Sequence, residues 1–352
     1  MKKIALISAN NYQNPYIIYP IGISYIATYL NEKMPDWELG FFDFNLGNYE
    51  DLAGFCRNGN FDYIGVSLRN VDDTNFYEQY SFVNHYRRVM QVIRQNSRAV
   101  VIMGGSGFSI YPDVLFKELA PDYGVQGEGE ESIRELVSAL EEKKDPAGID
   151  GLVYARPDGT VAINPHKQYI TTLALNVEPD NAHFYFEKSG MLNIQTKRGC
   201  PYGCIYCSYP IIEGKSVRLL DARSVAENIK ELKNSKGINY LFFTDSVFNI
   251  HREYNRELSS LLIESKVNVK WGAYFTPHNL TYQDLELYQK AGLTHIEWGT
   301  DSLSDIQLEN YNKSFRFCDI KKLSLHATEL GIYHAHFMIL AGYGETDMTL
   351  NQ

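Results

Sequence analysis

Three of the chain's five cysteines fall within eight residues, in the stretch Lys197-Arg198-Gly199-Cys200-Pro201-Tyr202-Gly203-Cys204-Ile205-Tyr206-Cys207. The spacing Cys-x3-Cys-x2-Cys puts three thiolates on one short loop, enough for three corners of a cubane iron–sulfur cluster. The fourth iron then lacks a protein ligand and stays open to a small molecule, the mark of a working metal site rather than a closed structural one. Gly199 and Gly203 let the backbone wrap closely, and Pro201 stiffens the loop. A structural zinc site asks for a second Cys or His pair, and none lies nearby. A disulfide framework would need many more than five cysteines in 352 residues.

This spacing, with an aromatic residue directly before the third cysteine, resembles the radical S-adenosylmethionine (SAM) enzymes. The resemblance implies a [4Fe–4S] cluster on Cys200, Cys204 and Cys207, with SAM held at the free iron by its amino and carboxylate groups. Reductive cleavage of SAM then gives a 5′-deoxyadenosyl radical. Tyr206 stands where the family's aromatic residue meets the adenine. Thr244-Asp245-Ser246 is similar to the acidic segment that faces the SAM methionine or the substrate. Glu297-Trp298-Gly299-Thr300-Asp301-Ser302 resembles a Gly-x-Glu-Ser segment with Asp301 in place of Glu. Carboxylates there would accept hydrogen bonds from the ribose or the SAM ammonium. Gly342-Tyr343-Gly344-Glu345-Thr346 resembles Gly-x-Pro-Gly-Glu-Thr, with Tyr343 replacing Pro. Thr276 stands where many relatives place an arginine near the SAM carboxylate, so that contact must come from elsewhere or be absent.

The elements that must position these residues alternate. Strands are predicted at Leu192–Thr196, Tyr240–Thr244, Val269–Tyr274, His295–Gly299 and His334–Leu340. Between them helices are predicted at Ala222–Asn234, Tyr254–Glu264, Tyr282–Lys290 and Asp319–Leu330, the third opened by a capping-box variant of Thr281 with Asp284. This is a βα-barrel pattern with the cysteine loop after its first strand, on the face where such barrels carry chemistry. Only five of the usual six strands are legible before Gln352, so a partial, C-terminally truncated (β/α)6 barrel is expected. His334 and His336 fall on one side of the last strand and are expected to line the barrel.

The first half alternates too. Strands are predicted at Ile4–Ser8, Leu39–Phe42, Tyr63–Ser67, Ala99–Met103 and Tyr123–Val125. Helices are predicted on the Ile23, Ile26, Ala27, Leu30 face and at Glu78–Gln95, Pro112–Leu119 and Glu131–Glu142. That order argues an α/β, doubly wound, Rossmann- or flavodoxin-like sheet with its ligands at the carboxyl ends of the strands. At those ends stand Ser67-Leu68-Arg69-Asn70, Gly104-Gly105-Ser106-Gly107 and Gly127-Glu128. Together these loops resemble the cobalamin-binding domain found ahead of many radical SAM barrels, in which a Ser-x-Leu and a Gly-Gly segment cradle the nucleotide tail. The cobalt-ligating histidine of the methionine synthase type is absent, since Ile17 and Tyr19 stand where its Asp and His would be. The corrin is expected between the two domains. Arg69 is the candidate beneath cobalt, which it can approach but not coordinate, a guanidinium having donors and no free lone pair.

The expected organisation is a cobalamin-binding domain over residues 1–144, a linker with a β-hairpin over 145–190, and the radical SAM barrel over 191–352. Residues Leu152–Ala155 and Thr160–Ile163 flank the turn signal Arg156-Pro157-Asp158-Gly159, and the rest of the linker is expected to run over the surface. A formal net charge of −10 disfavours a nucleic-acid-binding surface. No charged-then-apolar leader and no run of about twenty apolar residues is seen, so neither a signal peptide nor a membrane span is expected. Free clustered cysteines imply a reducing cytoplasm. Cys56 and Cys318 are expected to be packed and unreactive.

The resemblance implies a cobalamin-dependent radical SAM methyltransferase acting on a small-molecule or peptide carbon, with a flavodoxin- or ferredoxin-like electron donor. The methyl is transferred either to a substrate radical from methylcobalamin, or to a nucleophilic carbon after cobalt(I) takes it from SAM. A radical cyclase or ring-rearranging enzyme on the same scaffold is the alternative. A cobalamin- or cluster-binding sensor without turnover is the reading from outside enzymes.

Overall fold

A computed structural model describes residues 1–74, 77, 79–171 and 179–350. The chain divides into two compact units, Met1–Asn176 with Ile211–Gly214, and Val177–Pro210 with Lys215–Gln352.

The first unit is built on a sheet of β1 (Lys3–Ser8), β2 (Glu38–Asp43), β3 (Tyr63–Ser67), β4 (Val100–Gly104), β5 (Tyr123–Val125), β6 (Leu152–Ala155) and β7 (Val161–Ile163). Its order is β2-β1-β3-β4-β5-β6-β7, parallel through β5. The helices are α1 (Ile21–Lys33), α2 (Tyr49–Gly59), α3 (Val83–Asn96), the short α4 (Ser106–Ile110), α5 (Pro112–Leu119) and α6 (Glu130–Glu141). They cover two cores. Ala5, Ile7, Ile64, Val66 and Val101 pack with Leu52, Val89 and Leu115. Ile4, Leu6, Tyr63 and Ile102 pack with Ile23, Leu30 and Leu136. Successive strand residues serve opposite cores, as in a doubly wound sheet buried on both faces. The strand order reverses at β1 and β3, so the crevice outside their carboxyl ends is where such a sheet binds ligands.

Two expectations change here. The hairpin is not linker: β6 pairs antiparallel with β5, and β7 with β6, so both strands extend the sheet. Leu152 and Val153 are fully buried, one in each core, and that burial holds the hairpin there. The helix expected over Glu78–Gln95 begins at Val83, and Glu78 lies outside the described residues. Helix α2 was not anticipated, although Asn48 and Asp51 form a capping box at its start.

The second unit opens with α7 (Pro179–Ser189), in a stretch expected to be irregular. Ala182 and Tyr185 are fully buried, so α7 is part of a core rather than a surface connector; Glu178 and the residues just before it lie outside the description. There follow β8 (Leu192–Ile194), β9 (Lys197–Arg198), the short α8 (Tyr209–Ile212, its last two residues counted with the first unit), β10 (Arg218–Leu219), α9 (Ala222–Lys236), β11 (Tyr240–Phe243), α10 (Arg252–Glu264), β12 (Lys270–Phe275), α11 (Tyr282–Lys290), β13 (Leu293–Asp301), α12 (Asp305–Asn310), α13 (Phe317–Glu329) and β14 (Tyr333–Met338). Five strands form one parallel sheet in the order β14-β13-β12-β11-β8, each next to its neighbour in sequence, as in a barrel wall. Phe243, Trp271 and Phe275 point to the helices, where their rings pack around Phe248 and Tyr288. The alternate residues, Phe242, Tyr274, His295 and Glu297, occupy the opposite face. The capping box of Thr281 with Asp284 is present as expected.

Candidate cofactor sites

The cysteine loop starts where β9 ends. Strand β9 is only two residues long, and its antiparallel pairing with β10 fixes the root of the loop. Gly199 follows at φ +87°, and a Cβ there would lie 2.1 Å from the Ser216 carbonyl oxygen, so only glycine fits. Cys200 is buried, Cys204 and Cys207 are half-buried, and none is in a disulfide. Burial pushes the Cys200 and Cys207 thiols above their ordinary range, while the Tyr202 backbone N–H bonded to Cys200 and the Tyr209 N–H bonded to Cys207 act the other way. Thiols held back by burial yet supplied with N–H donors ionise against a bound cation, which suits cluster ligands. Among the described residues no three His, Cys, Asp or Glu side chains converge tightly enough to hold a single metal ion. A cubane does not ask for that, because each cysteine binds a different iron.

Asp245, at the end of β11, is fully buried. Its carboxylate accepts from Thr196 N and Oγ1, both at 2.6 Å, from Lys197 N at 3.1 Å and from Lys197 Nζ at 2.7 Å. Lys197 is itself 1% exposed, with its ammonium 4.5 Å from the Phe248 ring centroid and 5.3 Å from that of Tyr254. Both oxygens are thus engaged, and Asp245 pins the strand end from which the cysteine loop departs. Ser246 stays at the loop, donating to the Gly199 carbonyl oxygen at 3.2 Å.

At the end of β13, Asp301 adopts φ +65°, a left-handed conformation that Asp tolerates better than most residues. It is 6% exposed and accepts from the Tyr206 hydroxyl and from Lys313 Nζ. Burial and the Asp301 carboxylate hold the Tyr206 phenol far above its ordinary range, so it remains a donor. The carboxylate of Asp301 is therefore engaged by the cysteine loop and by Lys313. Thr300 is fully buried and hydrogen-bonds His336 Nδ1 at 2.6 Å, and the backbone N–H of Ser302 turns back to the Thr300 carbonyl oxygen. Glu297 lies on the face away from the helices, 2.9 Å from His295 Nε2. His334 and His336 instead meet Thr328 and Ser324 of α13, so they face the helical layer rather than line a barrel. Burial lowers the pKa of both.

In the first unit the loops after β3 and β4 are zipped together. Leu68 N donates to the Gly104 carbonyl oxygen at 2.8 Å, Gly107 N to that of Leu68 at 3.1 Å, and Ser106 Oγ to that of Arg69 at 3.1 Å. A Cβ on Gly105, at φ +98°, would lie 2.4 Å from the Leu68 carbonyl oxygen, and one on Gly107 would lie 2.7 Å from that of Arg69. These glycines thus admit the neighbouring loop. Gly104 meets only the Val125 carbonyl oxygen, at an ordinary 3.4 Å. Arg69 Nη1 donates to Asn70 Oδ1 at 3.1 Å, and Asn70 O accepts from Tyr86. Beside Gly127 the space is filled by the His166 ring, 2.9 Å from where a Cβ would stand, and His166 Nε2 lies 2.9 Å from the Glu128 carbonyl oxygen. That pair is packed against His166.

Ile17 and Tyr19 are buried. The histidine nearest the β1 end, His85, has its nitrogens engaged by Ala9 O at 2.7 Å and by the Tyr49 hydroxyl at 2.6 Å. At this same end Asn10 Oδ1 and Asn11 Oδ1 are buried with no hydrogen-bond partner. Orphaned acceptors at a strand-order reversal fit a ligand edged with amide donors, as a corrin is.

Sequence reasoning passed over Lys197, Asn312 and Lys313. Lys197 stood in the cysteine stretch itself, where its burial had no local signal. Lys313 and Asn312 follow α12 in a segment without a motif, and only the fold brings them to the loop.

Residues 194–352 match the radical SAM superfamily and residues 11–137 match the B12 binding domain. The chain is 28% identical, over 75% of its length, to the anaerobic magnesium-protoporphyrin IX monomethyl ester cyclase of Rubrivivax gelatinosus, and spans 50% of that protein. It is 24% identical, over 91% of its length, to the tryptophan 2-C-methyltransferase of Streptomyces laurentii, and spans 64% of it. Its fold superposes with a TM-score of 0.87 on the radical SAM methyltransferase TsrM from Kitasatospora setae, covering 99% of this chain and 70% of that one at 24% identity. Among the described residues no helix is long and apolar enough to cross a membrane. The cofactors that go with the two domains are cobalamin, SAM and a [4Fe–4S] cluster. The chain thus carries a B12-binding domain ahead of a radical SAM domain.

Proposed function

We propose that this protein is a cobalamin-dependent radical SAM methyltransferase acting on carbon. The observation that carries the reading is the presence, in one chain, of a three-cysteine loop braced by buried charges and a doubly wound B12-binding sheet with orphaned acceptors at its switch point. When bound, the cluster supplies an open iron and an electron, SAM a methyl group, and cobalamin a carrier for it. Cys200, Cys204 and Cys207 would hold the cluster. The half-exposed ring of Tyr206 would meet the adenine while its hydroxyl stays on Asp301. Glu297, oriented by His295, and Ser246 would supply polar contacts to SAM or substrate. Ser67, Gly104, Asn10 and Asn11 would receive cobalamin, with Arg69 as the cation near its lower face. The substrate is a small molecule or peptide, the electron donor a flavodoxin or ferredoxin, and the compartment a reducing cytoplasm.

The similarity to a cyclase across three quarters of the chain favours one rival, radical cyclisation or ring rearrangement on the same scaffold. Anaerobic reconstitution with iron, sulfide, cobalamin, SAM and a low-potential reductant separates the readings. A methyltransferase forms S-adenosylhomocysteine as SAM is consumed. Formation of 5′-deoxyadenosine alone would replace it with the cyclase reading, and neither product would leave a sensor.

A further inference from the structure

The segment after α12 grips the half of the loop that carries Cys204 and Cys207. Asn312 Nδ2 donates to the Gly203 carbonyl oxygen at 2.9 Å, and the Ile205 N–H donates to that of Tyr311 at 3.4 Å. The Tyr206 ring meets Tyr311 edge-on, with centroids 5.7 Å apart. Lys313 completes the grip. Its side chain is 9% exposed, its ammonium is paired with Asp301 and sits 5.3 Å from the Tyr206 ring centroid and 5.7 Å from that of Phe315. Asp301 in turn accepts the Tyr206 hydroxyl. Two opposite, nearly dry charges thus bracket the residue immediately before Cys207.

We propose that Lys313 and Asp301 are positioning residues that hold Tyr206 and the Cys204–Cys207 arc in place, and that their opposite charges set the reduction potential of the cluster bound there. The inference rests on the reading of the three cysteines as cluster ligands. A cluster gains negative charge on reduction, so a nearby fixed cation favours the reduced form and a nearby anion disfavours it; burial keeps both effects from being screened. Lys313 belongs to none of the motifs named in the sequence, and Asp301 stands in one as an expected ligand contact.

The test is a mediated redox titration of the reconstituted full chain, followed by electron paramagnetic resonance, in the parent and in Lys313→Gln, Lys313→Arg and Asp301→Asn, with iron counted per chain. The midpoint is expected to move to more negative potential in Lys313→Gln and to more positive potential in Asp301→Asn, with Lys313→Arg close to the parent. A brace without electrostatic influence would loosen the loop in both neutral variants and move the two midpoints in one direction, or in none, which overturns the proposal. An arginine variant shifted as far as the glutamine variant overturns it as well. If Lys313→Gln takes up no iron, the sign of the Asp301→Asn shift and the arginine rescue decide. A parent chain that binds no cluster would fail the underlying reading, whereas a parent with its cluster and variants with unmoved midpoints would fail this inference alone.

Discussion

At the scale of single residues, the root of the cysteine loop rests on a buried charge pair. Lys197 and Asp245 are 2.7 Å apart and almost wholly excluded from water. Removing one partner strands the other in a dry site, at a cost of about 3–5 kcal/mol, while replacing both with apolar groups of matching shape costs far less. Lys197→Met or Asp245→Leu alone should therefore lower the urea midpoint of the second unit strongly, and the double variant should recover most of the loss. Equal loss in the double variant would mean that the hydrogen bonds from Asp245 to the Thr196 and Lys197 backbone, not the charge pair, carry the effect. The cysteine spacing was legible because three ligands on one loop are a local pattern. The buried lysine partners of Asp245 and Asp301 were not, because they come from other parts of the fold and leave no mark beside the carboxylates.

At the scale of elements, strand ends and glycines divide the work. The loops after β3 and β4 can zip only because Gly105 and Gly107 carry no Cβ. Gly105→Ala combines a backbone at φ +98° with a 2.4 Å approach to the Leu68 carbonyl oxygen, so it should displace both loops. Cobalamin retention on gel filtration is expected to fall at least tenfold while the iron count stays at the parent value. Retention equal to the parent would show that these loops do not hold the cofactor. Most strands and helices were legible from period alone, Tyr63–Ser67, Pro112–Leu119 and Tyr282–Lys290 to the residue. The hairpin of β6 and β7 was legible as a hairpin, but its place in the sheet was not. Turn chemistry fixes a local connection, and which edge the hairpin joins depends on the distant Gly124 and Val125. Helix α7 was missed because its buried residues, Ala182 and Tyr185, give too short an apolar stripe to stand out.

At the scale of the whole molecule, each unit has its own buried core, so each should keep its cofactor when the other is emptied. The triple variant Cys200→Ala, Cys204→Ala, Cys207→Ala should lose its iron and all SAM cleavage yet still retain hydroxocobalamin, measured by absorbance after desalting. Four irons per chain in that variant would end the cluster assignment. The two-domain order was legible because strand and helix periods restart after the hairpin; the braces around the cysteines were not, because they join residues far apart in the chain. Gly203 is held by Asn312, 109 residues downstream, and Thr196 by Asp245, 49 residues downstream. That separation sets an order in time. While the ribosome is still translating the segment after Cys207, the thiols have emerged but nothing yet grips their loop. Maturation should then follow synthesis, with iron and sulfide delivered to a radical SAM domain that has already folded as far as Lys313.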